Sequence, residues 1–476
     1  MSGYKPLPRC TPAQAGLDPR CILAMIDAYE EKGIKINSFM LLRRGQVLCE
    51  GYYAPYAKDQ LQTVYSLSKT FTSMAIGIAE GEGILGLDER VVDIFADEVK
   101  ASGVTPGPEL SALTLRHLLR MSTGQPQEPW RDDAWDDMRG AFLKEPFTEM
   151  PGEVFRYNTI ATYMLSAALK KRGVDLEEYL QEKLLTPLGV SGTRWMRDPH
   201  GICTGGFGFS LYPEVIARLG LCILADGKWE GQQLIPRDYL AMATRPQIYK
   251  PANELGYGDW NAGYGYQMWM CESGAFRGDG MYGQLCIMDR RTDTVLAMTA
   301  LSRDMGLQMQ IYTENILTQY HPGPIAEDAA AMEALCARLG TLRHDRLLPQ
   351  DDGAPVPQAL LRGYDLPVGW MELSLQDGVL TMRHAGREVQ ASRGAYRSGM
   401  YTPYTAPLNM RDMRPSPLLC TYAMQGGALI IRQYDVEFIE ELTLTFTPGE
   451  GCIDVHLQMT NNPDEPQECF RVNAAV

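Results

Sequence analysis

Over residues 1–325, strand-like stretches stand at both ends and helix-like stretches fill the middle. This order limits the fold more than any other feature of the chain. Ser38 to Tyr53 (SFMLLRRGQVLCEGYY) reads as a hairpin: an apolar strand, an Arg-Gly turn and a second, alternating strand. Before it, Leu23 to Lys32 reads as an amphipathic helix closed by Gly33. Ser66 to Glu80 is apolar and helical, and Gly81 to Leu87 is Gly-punctuated like a helix end and loop. Residues 90–240 alternate helical segments with Pro/Gly-rich loops. Tyr264 to Met270, Gly283 to Met288 and Thr294 to Leu301 then read as three successive strands. A sheet built this way joins the two ends of the segment, and helices cover it, so one α+β domain is expected.

The pattern changes after Tyr320. His-Pro-Gly-Pro at 321–324 breaks the chain, and Ala326 to Leu342 reads as one helix. Beyond it come short strands separated by hairpin signals, QDG, QGG and PGEG. The 476 residues therefore divide into a domain at 1–325, a helical connector at 326–344 and a β-rich module at 345–476, within the two to three domains that this length allows. Shaping the substrate entrance and mediating a homodimer are both open roles for that module.

Charge and composition remove several function classes. Lys plus Arg is 44 against 59 Asp plus Glu, a net charge of −15, and the basic residues are scattered. Nucleic acid and anionic membrane surfaces want the opposite sign, so neither is expected as a partner. No run of about 18 apolar residues is present to span a bilayer. The start, MSGYKPLPRCTPAQAG, lacks an apolar h-region, so a cytoplasmic address is expected. The eleven cysteines contain no C-x-x-C pair and read as reduced thiols. The six histidines lie far apart with no H-E-x-x-H, so no metal or other cofactor is expected. Scarce histidine also weakens a Ser-His-Asp reading, and neither G-x-S-x-G nor a P-loop is present.

Three segments carry residue types suited to nucleophilic chemistry. In Tyr65-Ser66-Leu67-Ser68-Lys69, Ser66 and Lys69 are three apart and share one helix face. A serine hydroxyl needs an adjacent base, and a buried lysine with a lowered pKa can serve. The same spacing at Ser2–Lys5 carries no such context, and Ser66 is equally readable as a helix cap. The second segment is Phe155-Arg156-Tyr157-Asn158-Thr159 ahead of an apolar helix. Tyr157 is suited there to proton transfer, or simply to packing with its hydroxyl satisfied. The third is Arg277-Gly278-Asp279-Gly280-Met281-Tyr282-Gly283-Gln284. Its glycines permit close approach of backbone N–H groups to an oxyanion, or a plain Gly-rich turn.

In this order the three segments resemble the active-site motifs of the serine β-lactamase and penicillin-binding-protein superfamily. The likeness is to its class C-like branch, which includes family VIII carboxylesterases and 6-aminohexanoate-dimer hydrolases. LRHLLRMSTGQ (115–125), TPLGVSGTRW (186–195) and the strands around YGYQMW extend it over roughly residues 15–320. The resemblance implies an antiparallel sheet flanked by helices plus an all-helical subregion. It further implies Ser66 as acylated nucleophile, Lys69 as its activator and Tyr157 as proton shuttle. Backbone N–H groups of Ser66 and Met281 would form the oxyanion hole, with Met281 placed by aligning Gly283-Gln284 to the family's Gly-Gln. Asn158, Thr159, Gly278, Asp279 and Gly280 would contact substrate.

Two departures matter. The family's Tyr-x-Asn is here Tyr157-Asn158-Thr159, which puts Thr159 in the Asn place, with Asn158 available to compensate. Its Lys-Thr-Gly is here Gly278-Asp279-Gly280, which replaces a substrate-holding cation and hydroxyl by a carboxylate. An anionic β-lactam would be repelled unless Arg277 turned inward. The resemblance therefore implies a serine hydrolase of a small ester or amide. A β-lactamase or D-Ala-D-Ala peptidase, and a catalytically silent ligand-binding protein, are the alternatives. Trp260, Tyr264, Tyr266 and Trp269 suit an acyl pocket or a sheet core equally. His200 reads as a surface-loop residue, and the run Arg131–Asp137 as a solvated acidic loop.

Overall fold

The computed structural model describes residues 5–130, 134–254, 258–344, 348–366, 369–384, 387–401, 416–459 and 468–473. They form two compact units, Met1–Leu342 and Arg343–Val476.

The first unit is α+β, built on one six-stranded antiparallel sheet. Helix α1 (Pro19–Glu31) begins four residues before the expected start because Asp18 accepts the Arg20 N–H and Pro19 opens the helix. Its Ile22, Met25, Ile26 and Tyr29 are buried at helical spacing. Strands β1 (Lys35–Arg43) and β2 (Gln46–Tyr52) form the expected hairpin. Arg44 and Gly45 both have positive φ, 50° and 76°, as a two-residue turn with the strands' own twist requires.

The chain then leaves the sheet for a helical region. That region contains α2 (Ser68–Gly81), α3 (Thr159–Lys171) and α4 (Pro213–Leu224). It returns through β3 (Trp269–Met270), β4 (Phe276–Gly280), β5 (Gln284–Asp289) and β6 (Thr294–Leu301). The sheet order is β2-β1-β6-β5-β4-β3, so the first strand of the unit pairs with the last, Met40 opposite Ala297. Helices cover both faces, and all eight residues of β6 are buried. On one face α1 and α5 (Met305–Tyr312) pack through Met25, Ile26, Met309 and Tyr312 onto Phe39, Leu285 and Met298. On the other, α4 lies so close that a Cβ on Gly220 would fall 2.6 Å from Val295.

Two expectations shift. Of Tyr264–Met270 only β3 is strand, because Gln267 adopts φ 61° and its buried amide binds the carbonyls of Leu118 and Leu119 at 3.1 and 2.8 Å. The expected connector helix is α6 (Ala329–Leu339). It packs on α1 and β2 within the first unit, with Leu335 wholly buried. Burying such a leucine contributes about 1.5–3 kcal/mol, which holds the helix to its sheet.

The second unit is a barrel-like sheet with its own core, including Tyr364, Met371, Cys420, Ile431, Leu444 and Val455. Its strands are antiparallel except for a short parallel pairing of Arg387–Arg393 with Ser416–Gln425. The expected turns at Asp377-Gly378 and Gly426-Gly427 carry positive φ at both residues. Among the described residues no helix is long and apolar enough to cross a membrane. None of them form a group of three or more potential metal ligands either.

Candidate active site

Ser66 is the middle residue of a 3-10 turn, Tyr65–Leu67, that runs straight into α2. Tyr65 has φ 46°, a left-handed conformation that costs a bulky residue on the order of 1–3 kcal/mol. Its surroundings impose it. The ring is buried edge-on to Tyr282 at 5.4 Å, and the carbonyl accepts from Ser68 Oγ at 2.6 Å. Ser68 Oγ in turn accepts from Phe209 N at 3.2 Å, and Val64 N donates to Phe209 O at 2.9 Å. The turn is thereby held from both sides, at the positive end of the α2 dipole.

One helical turn on, Lys69 is 2% exposed. Its Nζ donates to Ser66 Oγ at 3.0 Å, Gly206 O at 2.8 Å and Thr159 Oγ1 at 3.3 Å. Burial lowers its pKa to about 7, against the pull of Glu128 and Asp279. The residue is therefore a base at neutral pH as often as an ammonium ion.

Tyr157 stands just ahead of α3. Its ring stacks on Trp269, 5.9 Å apart at 13°, and meets Tyr264 edge-on. Lys69 Nζ lies 4.9 Å from the ring centroid, and the hydroxyl hydrogen-bonds the Ser66 side chain. Burial, then the Asp279 charge, push the phenol well above the usual tyrosine value. It is a proton donor at neutral pH, not a phenolate.

Strand β4 closes the site from the sheet side. A Cβ on Gly278 would lie 2.4 Å from Leu67 and Thr70, and one on Gly280 2.2 Å from Val64 O and 3.0 Å from Leu67 N. Only glycine lets the strand come this near. Gly280 comes close to Val64 and Leu67, and Tyr282 packs on Tyr65; Met281 lies between them in the chain. The Met281 side chain is 45% exposed.

Asp279 does not face outward alone. Its carboxylate pairs with Arg277 Nε at 3.1 Å and takes a hydrogen bond from Trp260. Arg277 is fully buried, donates to Met270 O at 3.2 Å and stacks 4.8 Å over Trp260. Its guanidinium is thus engaged by Asp279, the Met270 carbonyl and the Trp260 ring. Burial pushes the Asp279 carboxyl up, with Arg277 opposing.

The structure splits the Asn158-Thr159 pair. Thr159 faces Lys69. Asn158 is 1% exposed and turned away: its carbonyl caps α3 at Ala161 N (3.0 Å) and its amide donates to Gln125 (2.9 Å). Its side chain is thus engaged by Gln125 and by the start of α3. Tyr264, Trp269 and Trp260 cluster with Tyr157, whereas Tyr266 is core, its hydroxyl accepting from Arg116 at 2.7 Å. His200 bonds Asp136 O at 3.0 Å in an exposed loop. Arg131, Asp132 and Asp133 lie outside the described residues, and Asp137 caps the helix Met138–Lys144.

Three contributors were not anticipated. Glu128 Oε1 accepts from Thr159 N at 2.5 Å. The Gly206 carbonyl receives Lys69. Lys250 sits 5.5 Å over Trp269, its ammonium disfavoured by burial and favoured by Glu254 and Asp279. A carboxylate three residues after Gln125, the end of the 115–125 segment, was the available signal for the first.

Residues 24–307, which include every group above, match the family model described as Beta-lactamase. Penicillin-binding protein 4* of Bacillus subtilis (strain 168) is 26% identical over 153 residues, 29% of this chain and 32% of that protein. The match thus spans about a third of that relative's length. The 6-aminohexanoate-dimer hydrolase of Paenarthrobacter ureafaciens is 24% identical over 280 residues, 55% of this chain and 71% of that protein. Among solved structures, a penicillin-binding protein homologue from Caulobacter crescentus superposes with TM-score 0.52 at 16% identity, over 64% of this chain and 99% of its own. At that identity the likeness is one of fold.

Proposed function

Because the chain belongs to the beta-lactamase family, we propose that it is a serine hydrolase that cleaves a small ester or amide through an acyl-enzyme on Ser66. The observation that carries this reading is the 3.0 Å contact of Lys69 Nζ with Ser66 Oγ, made by a lysine whose pKa is about 7.

Neutral Lys69 takes the Ser66 proton as Oγ bonds to the substrate carbonyl carbon. The carbonyl oxygen gains the displaced electron pair and is held by the N–H groups of Ser66 and Met281. Collapse breaks the bond to the leaving alkoxide or amine. That group takes a proton from the Tyr157 hydroxyl, and Tyr157 is refilled by the Lys69 ammonium. Water then repeats the sequence on the acyl carbon and frees Ser66. Tyr157 serves as donor because its phenol is held protonated, and Lys69 serves as the first base because burial keeps it half neutral.

Asp279 favours esters and amides over β-lactams. It aligns with the family motif that helps hold a substrate carboxylate, and the Arg277 beside it is fully buried and already engaged by Asp279 and the Met270 carbonyl. A fluorophosphonate probe is expected to label the wild-type chain and not Ser66→Ala. Equal labelling of both, or of neither, would sink the assignment. Nitrocefin is expected to be a poor substrate beside p-nitrophenyl acetate.

A further inference from the structure

We propose that Glu128 is the positioning residue of the Lys69 base: it fixes Thr159, on which Lys69 rests, and supplies the countercharge for the ammonium that Lys69 becomes when it takes the Ser66 proton. The inference rests on the acyl-enzyme reading above and adds a member to it.

The geometry is a chain of three hydrogen bonds. Glu128 Oε1 accepts from Thr159 N at 2.5 Å, Thr159 Oγ1 accepts from Lys69 Nζ at 3.3 Å, and Lys69 reaches Ser66 at 3.0 Å. Thr159 is the first residue of α3, whose N–H has no partner within the helix, so a carboxylate there is doubly favoured. Glu128 forms no ion pair with a described residue. Among the described residues no cation takes up its charge, which lies one residue removed from Lys69.

The site needs that charge. Lys69 is buried, and the acylation step makes it cationic where water cannot solvate it. The groups facing it are few. Tyr157 offers a ring face and a hydroxyl, and the 205–208 loop offers the Gly206 carbonyl. From β4 comes Asp279, already engaged by Arg277, and Lys250 lies beyond it. Among the described residues Glu128 is the carboxylate of this set without an ion pair, and its charge bears on both Lys69 and Tyr157. The placement also explains why threonine serves at position 159. The short side chain needs its backbone held, and Glu128 holds it.

Glu128→Gln separates the two functions, because a glutamine oxygen still accepts from Thr159 N but carries no charge. With p-nitrophenyl acetate, the acid limb of kcat/KM is expected to move to lower pH by about half a unit or more, with a plateau roughly three- to tenfold lower, as for a weaker base. A purely structural role would lower the plateau and leave the limb in place. That result, or an unchanged profile, overturns the proposal. If Glu128→Gln does not fold, Glu128→Asp carries the test. It keeps the charge but withdraws it, and the limb must move in the same direction by less. Fluorophosphonate labelling of the wild type is read in parallel. If Ser66 is not labelled, the acyl-enzyme reading fails first. If it is labelled and the limb stays, this inference alone fails.

Discussion

Lys69 and Tyr157 meet face to ring, with the lysine nitrogen 4.9 Å from the phenol centroid, and both groups hydrogen-bond Ser66. The contact separates what the tyrosine ring does from what its hydroxyl does. Tyr157→Phe keeps the stack on Trp269 and the cation–π contact, and removes only the proton donor. The expected outcome is a loss of about 100- to 10,000-fold in kcat on an amide or unactivated ester, with an unchanged melting curve. A p-nitrophenyl ester, whose leaving group needs no proton, should lose much less.

Lys69 sets a pH dependence of activity and of stability. With a pKa of about 7, its neutral form dominates above that pH, so kcat/KM for a neutral ester should rise through pH 7 and level off. Stability moves in the same sense, over a higher pH window. The folded pKa lies below the unfolded 10.5, so folding expels a proton from Lys69 and is penalised wherever the unfolded lysine is charged. The penalty is full below pH 7, about 5 kcal/mol, and vanishes above 10.5. Lys69→Met should be inactive. Its stability relative to wild type, read by denaturant titration, should improve as pH falls from 10 to 7.

Gly280→Ala places a Cβ 2.2 Å from Val64 O, and that backbone carries the Ser66 turn. Backbone cannot move aside as a side-chain tip can. The variant should lose activity by about 100-fold, since misplacement of the reacting group by about 1 Å costs that much. Fluorophosphonate labelling should slow in parallel. Labelling at the wild-type rate would mean the strand and not the turn yields.

Arg277 and Asp279 form a buried ion pair: removing Arg277 strands Asp279, and removing Asp279 leaves Arg277 with Asp259 alone, 4.0 Å away. Arg277→Met and Asp279→Asn should each destabilise by about 3–5 kcal/mol, while the double variant should recover much of the loss. A double-mutant cycle by thermal or denaturant melting reads the coupling. Additive losses would show the pair to be independent.

Much of this arrangement can be read from the chain. The β1–β2 hairpin is written in alternation plus Arg-Gly, and the second unit's turns in Asp-Gly and Gly-Gly. Spacing alone leaves Ser66 readable as a helix cap and Tyr157 as packing; it is the resemblance of their segments to the family motifs that singles out Ser66, Lys69 and Tyr157, and the fold brings all three together. Strand β4 is less visible, since three of its five residues are Gly278, Asp279 and Gly280, poor strand formers chosen for close approach. Aromatic richness makes Tyr264–Met270 read as strand, but the buried Gln267 amide binds the helical layer and bends it into a turn. Asn158 enters the expected site through its likeness to the family's Tyr-x-Asn, one position off, and the packing uses it as the α3 cap. The Gly206 carbonyl has no signature at all, because every residue has one. Glu128 meets its partner Thr159 through a backbone N–H, which carries no sequence label.

The pairing of β1 with β6 has a consequence for synthesis. Ser66 leaves the ribosome more than two hundred residues before Gly278 and Gly280, the strand positions that pack against its turn. At about 5–20 residues per second, the interval is roughly 10 to 40 s. Throughout it, the apolar α2 helix has no sheet to cover it, and β1 has no partner on its β6 side. The nascent chain therefore carries a nucleophile without an oxyanion hole and an open sheet edge of the kind that invites mispairing. Completion of the last strands ends both conditions at once, so the event that closes the sheet is also the event that completes the site.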